Sequence, residues 1–336
     1  MKIKKISVLS LLIITSLMIS FTSCKKEGCT DPLANNYDEK AKKDDGTCTF
    51  DVAPIDVYVE LTDHLKTNNM DLDEILALAY ITADDLNTNG TSTYYIIDLR
   101  ADTAYTRGHI PGAVNTTLGN IVTQAGSAGG KTIVVVCYTG QSAAHGLVAL
   151  RLSGYPTAKS LKFGMSSWNG DFDSWTNNCN SLGSSNWVSE NITSNVTFSE
   201  STFTSDLTTG AEILTERVSV MLNGGFSGIS ATDVLSSPTS YFINNYWDAA
   251  SVTTYGNISG AYRINPLTLT NGEILNLDPS KTIVTYCWTG QTSSMITAYL
   301  TVLGYTAKSL KFGANGMIFS DLAAAKQWPG SGSYAY

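Results

Sequence analysis

Apolar residues fall in short unbroken runs separated by polar, glycine-bearing stretches, and the runs come in two sets. Residues 94–98 (Tyr-Tyr-Ile-Ile-Asp) and 132–136 (Thr-Ile-Val-Val-Val) are rich in aromatic and β-branched side chains and do not alternate. Runs of that kind predict central strands covered on both faces. Residues 142–152 carry a helical pattern that stops at Gly154, as a helix C-terminus does. The second set repeats the order, with a strand over 282–286, a helix over 292–303 and a stop at Gly304. Alternating strand and helix predict an α/β architecture with a mainly parallel sheet in each set.

The two sets are copies of one unit. Ser160-Leu161-Lys162-Phe163-Gly164 returns as Ser309-Leu310-Lys311-Phe312-Gly313, and Cys137-Tyr138-Thr139-Gly140-Gln141 as Cys287-Trp288-Thr289-Gly290-Gln291. Ile81-Thr82-Ala83-Asp84-Asp85-Leu86 returns as Ile229-Ser230-Ala231-Thr232-Asp233-Val234. The near-constant offset of 148 to 150 residues means a duplicated domain, since stacked repeats have far shorter periods. The expected divisions are a leader over 1–23, a stalk over 24–50, a first domain over 56–178, a Ser/Asn/Thr-rich linker over 179–206 and a second domain over 207–326.

The N-terminus changes the picture from a plain duplicated domain to an exported one. Three lysines in the first five residues precede an apolar run over 6–21, and Thr22-Ser23-Cys24 follows. That is the layout of a secretory signal, and the run is short for a membrane span. Cys24 resembles the lipobox cysteine of bacterial lipoproteins, with Phe21 where Leu is usual. The resemblance implies lipidation at Cys24 and a body tethered to a membrane. It places the chain in the cell envelope, facing the periplasm or the outer surface. Lys25, Lys26 and Glu27 resemble the export signals of Bacteroidetes surface lipoproteins. The segment from Gly28 to Cys48 resembles a Cys-bounded module of secreted proteins in that phylum. Outside the cytosol two cysteines bracketing a small loop are expected to pair, so Cys29 and Cys48 are read as a disulfide. The acidic residues Asp38, Glu39, Asp44 and Asp45 lack calcium-loop spacing and read as a solvated stalk.

Composition excludes some functions. The 336 residues are 43% hydrophobic and 15% charged, with a net charge of -8 and 21 basic residues. This is globular composition without an electrostatic footprint for nucleic acid. Three histidines and scattered cysteines give no paired metal-ligand spacing, and no cofactor is implied.

The chemistry lies in the repeated cysteine loop. In each copy a cysteine ends a buried strand, an aromatic residue and Thr-Gly-Gln follow, and a helix begins. The sulfur is thereby placed at a helix N-terminus, where unpaired amides carry partial positive charge and bind anions. Such a setting is expected to lower a thiol pKa. Gly140 and Gly290 let the backbone curl around the sulfur.

Copy one reads Ile97-Asp98-Leu99-Arg100, Tyr105, then Gly108-His109-Ile110-Pro111-Gly112-Ala113-Val114-Asn115, the Cys137 loop, Gly154-Tyr155 and the stretch from Leu161 to Trp168. That succession resembles a rhodanese domain, and the resemblance covers about 81–175 and 229–322. Copy two keeps Cys287 but has Gly256-Asn257-Ile258-Ser259-Gly260-Ala261 in place of the His-Pro string. Asn244 and Tyr246 are expected at the places of Asp98 and Arg100, and these losses point to copy one as the more active. Many tandem rhodaneses have one catalytic cysteine, in the second copy. The fold implied is α/β, two tandem rhodanese-like domains behind a lipoprotein signal and a disulfide-bounded stalk.

The resemblance implies sulfur transfer from thiosulfate or an organic persulfide to a thiol or cyanide acceptor. Cys137 and Cys287 would be the nucleophiles. Tyr138, Thr139, Gly140, Gln141 and Ser142, and Trp288, Thr289, Gly290, Gln291 and Thr292, would form the substrate cradles. A cysteine phosphatase needs an arginine six residues after the cysteine; Ala143 and Ser293 stand there. The loops hold no Lys or Arg, which favours a less charged donor such as an organic persulfide. His109 and His145 are expected to be structural or surface residues, and Cys179, in or near the linker, is read first as a bland free thiol, with a resolving cysteine for Cys137 or an intermolecular link as the alternatives. The alternative is a non-catalytic rhodanese-fold binding or display module. A thiol–disulfide exchanger is disfavoured by the lack of a C-x-x-C pair. Oligomeric state is not indicated.

Overall fold

The computed structural model describes residues 25–50, 55–189 and 192–336. The expected leader over 1–23 and the lipidation site at Cys24 lie outside the described residues. Two compact units are present, Met1–Pro54 and Ile55–Tyr336. In the first, Cys29 and Cys48 form the expected disulfide, worth about 3 kcal/mol for a loop of this length in the chain-entropy model. Its carboxylates serve their own turns: Asp38 pairs with Lys26, Asp44 accepts the Gly46 amide and Asp45 accepts the Thr47 amide.

The second unit opens with α1 (Val57–Thr67) and α2 (Leu72–Leu76), capped by the carboxylates of Asp56 and Asp71. Strands and helices then alternate: β1 (Tyr80–Ile81), α3 (Ala83–Thr88), β2 (Tyr95–Asp98), α4 (Asp102–Arg107), β3 (Val114–Asn115), α5 (Ile121–Ala125), β4 (Ile133–Val136), α6 (Gln141–Leu152), β5 (Lys159–Leu161) and α7 (Met165–Trp168). The sheet order is β1-β5-β4-β2-β3, parallel throughout. The apolar run of β4 lies at its centre and is buried on both faces.

Between the copies, the described residues 179–189 and 192–206 make contacts along the second. Within them, β6 (Trp187–Val188) pairs antiparallel with a short strand of copy two, and the Phe198 amide bonds the Leu275 carbonyl. Copy two consists of α8 (Gly210–Gly224), β7 (Gly228–Ile229), α9 (Ala231–Ser236), β8 (Phe242–Asn245), α10 (Ala249–Tyr255), β9 (Asn257–Ile258), β10 (Ile283–Tyr286), α11 (Gln291–Val302) and β11 (Ala307–Leu310). Its parallel sheet runs β7-β11-β10-β8.

The two copies share one core. Leu147, Leu150, Ile296 and Leu300, from α6 and α11, belong to a single buried cluster with residues of α1 and α8. Both helices are buried almost all round, which is why their sequences carry little amphipathic contrast. Arg151, also buried, donates to the carbonyls of Ile75, Ala77 and Ala158, so its charge enters the core fully engaged. Asp71 ties the copies further by accepting the Leu269 and Thr270 amides.

Strand pairing corrects one expected correspondence. Asp98 lies opposite Val136, and Asn245 lies opposite Tyr286, each the residue just before its cysteine. Asp98 therefore corresponds to Asn245, not Asn244, and Arg100 to Trp247, not Tyr246. In copy one the buried pair Arg100 Nη2–Asp98 Oδ2 is 2.7 Å long, and the guanidinium lies 5.9 Å from the centre of the Tyr138 ring. In copy two Trp247 stacks on Trp288, centroids 4.0 Å apart and planes at 9°. A cation on an aromatic ring has been exchanged for an aromatic stack, at the same place beside the sulfur loop.

Candidate functional site

Each cysteine follows the last residue of its central strand and faces the first turn of the next helix. In copy one the amides of Gly140 and Ala143 donate to Cys137 Sγ at 3.2 and 3.3 Å. In copy two the Ser293 amide donates to Cys287 Sγ at 3.4 Å, and the Ser293 hydroxyl is 3.7 Å from the same sulfur. Gly140 and Gly290, at φ 81° and 75°, make the curl that the expected cradle needs. The amides are aimed as anticipated, but their effect on Cys137 is outweighed. Burial pushes its thiol up, against the pull of the Ala143, Thr139, Gly140 and Ser142 amides. The expectation of a lowered pKa at Cys137 is corrected, because desolvation penalises the thiolate more than this array favours it.

Cys287 opens on a cavity of about 450 Å³ between the copies. Its walls include Trp288, Thr289, Gln291 and Thr292 of the local loop, Tyr80, Lys162 and Phe163 of copy one, and the 324–329 segment with Lys326. The Tyr80 hydroxyl is hydrogen-bonded to Thr292 Oγ1 at 3.2 Å. Lys326 Nζ lies 4.6 Å from the centre of the Trp288 ring, and Lys162 Nζ 5.3 Å from that of Phe163. Neither lysine is in a salt bridge among the described residues. The loop is free of cations, as its sequence says, yet the site is not: tertiary packing supplies two from distant segments. This overturns the ground for expecting a less charged donor at Cys287. Cys137 does not line the cavity.

Behind the wall residue Phe163 lie Trp175 and Trp328, which it meets edge-to-face and which stack on each other, with Phe312 against Trp175. The C-terminal segment then runs onto copy one, where the Gly332 amide bonds Ser167 O and Trp168 Nε1 bonds Ala335 O. The cavity is thus walled by pieces from both copies and from the C-terminal segment.

A model of the rhodanese-like domain matches residues 82–171 and again 238–317, together just over half of the chain. The chain belongs to the rhodanese-like family. Its two rhodanese-like domains are the two copies described above. Similar solved structures include a rhodanese-related protein from Thermoplasma volcanium, 23% identical over 26% of this chain and 88% of that one, at a TM-score of 0.25. A rhodanese-like domain protein from Staphylococcus aureus is 25% identical over 27% of this chain and 92% of that one, TM-score 0.25. A thiosulfate sulfurtransferase from Pseudomonas aeruginosa is 13% identical over 83% of this chain and 47% of that one, TM-score 0.28. No curated protein matches.

The rhodanese-like loops place their expected residues unequally. Tyr138 is exposed, whereas Gln141 and Gln291 are buried and turn to the opposite copy. Thr139 and Thr289 accept from those glutamines. Ser142 is half-buried, two positions beyond the glycine whose amide reaches Cys137. Tyr80, Lys162, Phe163 and Lys326 escaped the sequence reading because no local pattern links them to a cysteine loop. Ser293 could have been found as the polar residue at the sixth position after Cys287, where copy one has alanine. His109 stacks on Tyr105 with centroids 3.9 Å apart, and its Nδ1 lies 3.0 Å from Tyr105 O. His145 is buried edge-on to Phe226. Cys179 is half-buried, and its thiol is pushed up to about 11 by burial and by Asp173, a poor setting for a reactive thiol.

Proposed function

We propose that the protein is a sulfurtransferase whose working sulfur carrier is Cys287, tethered to the cell envelope through Cys24. The observation that carries this reading is the sulfur of Cys287 facing a cavity walled by both copies and by Lys162 and Lys326. The Cys287 thiolate attacks the outer sulfur of thiosulfate or of an organic persulfide. The sulfur–sulfur bond of the donor breaks, its electron pair leaves with sulfite or with a thiolate, and a Cys287 persulfide remains. A thiol or cyanide acceptor then attacks the outer sulfur and releases the Cys287 thiolate. The Ser293 amide and the start of α11 stabilise the charge on the sulfur.

Lysines at the wall favour a donor that carries negative charge, and a cavity of about 450 Å³ leaves room for a donor larger than an inorganic anion. Cys137, with a raised thiol pKa and outside the cavity, reacts more slowly in this reading, and copy one serves largely to complete the second site. Should copy one be wholly inert, it is the binding module of the alternative reading, restricted to half of the body.

Intact-protein mass spectrometry after incubation with thiosulfate, and separately with glutathione persulfide, tests this. The expected result is a gain of one sulfur, removed by cyanide and lost in Cys287→Ser. No adduct from either donor, with folded protein and free thiols, would sink the proposal.

A further inference from the structure

Each sulfur loop rests on a Phe-Gly turn. Phe163 and Phe312 take φ of 65° and 63°, a region most side chains avoid. The following glycine is wedged under the cysteine: a Cβ on Gly164 would lie 2.4 Å from Cys137 O, and one on Gly313 2.2 Å from Cys287 O. The next amides, of Met165 and Ala314, bond those same carbonyls at 2.8 and 3.0 Å. The turn is therefore the floor on which the cysteine loop sits.

The amide of each floor phenylalanine is held from the other copy. Gln141 Oε1 accepts from Phe312 N at 3.0 Å, and Gln291 Oε1 accepts from Phe163 N at 2.8 Å. At its other end each glutamine stays in its own loop: Gln141 Nε2 donates to Thr139 Oγ1 at 3.1 Å, and Gln291 Nε2 to Thr289 Oγ1 at 3.2 Å. Both glutamine side chains are buried, the Phe163 amide contact fully and the Phe312 contact in part, so a lost bond leaves a peptide N–H with restricted access to water. The exchange is reciprocal and engages both polar ends of each amide.

We propose that Gln141 is a positioning residue for the Cys287 loop and Gln291 for the Cys137 loop, so that each copy fixes the floor of the other's sulfur site. The functional meaning of this rests on Cys287 carrying sulfur; the brace itself does not. Gln141 is also the first residue of α6, whose Ala143 amide touches Cys137 Sγ. A change at Cys137 that shifts this turn is passed through one side chain to Phe312 and the Cys287 loop.

Alkylation by iodoacetamide, followed at each cysteine by peptide mass spectrometry in the full chain, reads the brace without any sulfur donor. Gln141→Asn keeps the amide but is one methylene too short to reach Phe312 N. Gln141→Glu keeps the length and the accepting oxygen. With the floor loosened, the Ser293 amide is less well aimed at Cys287 Sγ and the sulfur is held less well for attack. Alkylation of Cys287 should then slow about fivefold in Gln141→Asn, the scale of one hydrogen bond, and stay within about twofold of wild type in Gln141→Glu. Equal Cys287 rates in the two variants overturn the proposal. Should Gln141→Asn not fold, Gln291→Asn and Gln291→Glu decide on the same terms with Cys137 as the reporter. A chain that alkylates as expected yet takes no sulfur from any donor would refute the sulfur-transfer reading and leave the brace standing.

Discussion

Replacing His145 with leucine should remove a defined part of the protein's acid sensitivity. The imidazole is 1% exposed in α6, and burial holds it down to about 4, with the Ser294 backbone opposing only weakly. The folded-state pKa is thus below the unfolded value of about 6.5. The unfolded chain takes up the proton first, so the stabilisation from a neutral His145 is complete above about pH 6.5 and is lost as the pH falls toward 4. Between pH 7.5 and 5, a folded value of about 4 makes this loss about 2 kcal/mol. Asp173 and Asp248 are held below the usual carboxylate range and so titrate beneath that window. Glu74, raised by burial, acts with the opposite sign but equally in both proteins. Urea unfolding followed by tryptophan fluorescence at pH 7.5, 6 and 5 measures the slope. Wild type should lose about 2 kcal/mol more than His145→Leu over that interval. Equal losses would show that the imidazole is solvated or already charged in the folded protein, and would refute the reasoning.

Other expectations concern the site directly. Lys162→Met and Lys326→Met should each lower kcat/KM for thiosulfate about fivefold, the scale of a partly screened charge, with alkylation of Cys287 by neutral iodoacetamide unchanged; unaltered thiosulfate kinetics would remove these lysines from donor binding. Gly313→Ala should cost about 2 kcal/mol or more in urea unfolding, because the new Cβ meets the Cys287 carbonyl at positive φ. Gly272→Ala, also at positive φ but with nothing within 4 Å of its Cβ, should cost about 1 kcal/mol, and equal costs would mean that the floor of the loop yields readily.

The elements that hold each sulfur were legible in the chain. Unbroken apolar runs gave the central strands, an abrupt change of period gave α6 and α11, and the cysteine between them had to lie at a helix N-terminus. The stalk disulfide was legible for a similar reason, since its cysteines bracket a short loop. The register of β8 was not. Residues 242–245 are buried on both faces, so the run has no alternation, and a one-residue shift changes nothing local; only pairing with β10 fixes Asn245 opposite Tyr286. The thiol of Cys137 could not be judged either, because the amides that favour its charge are local while the burial that opposes it is set by the whole packed body. Above all, the cavity at Cys287 is assembled from Tyr80, Lys162 and Lys326, residues separated by most of the chain. Sequence determined where each cysteine sits on its own strand and helix, because those forces act within a few residues. Tertiary structure alone decided which cysteine lines the cavity between the copies, which cations face it and which glutamine braces it, because those depend on how two copies of one domain pack across a shared core.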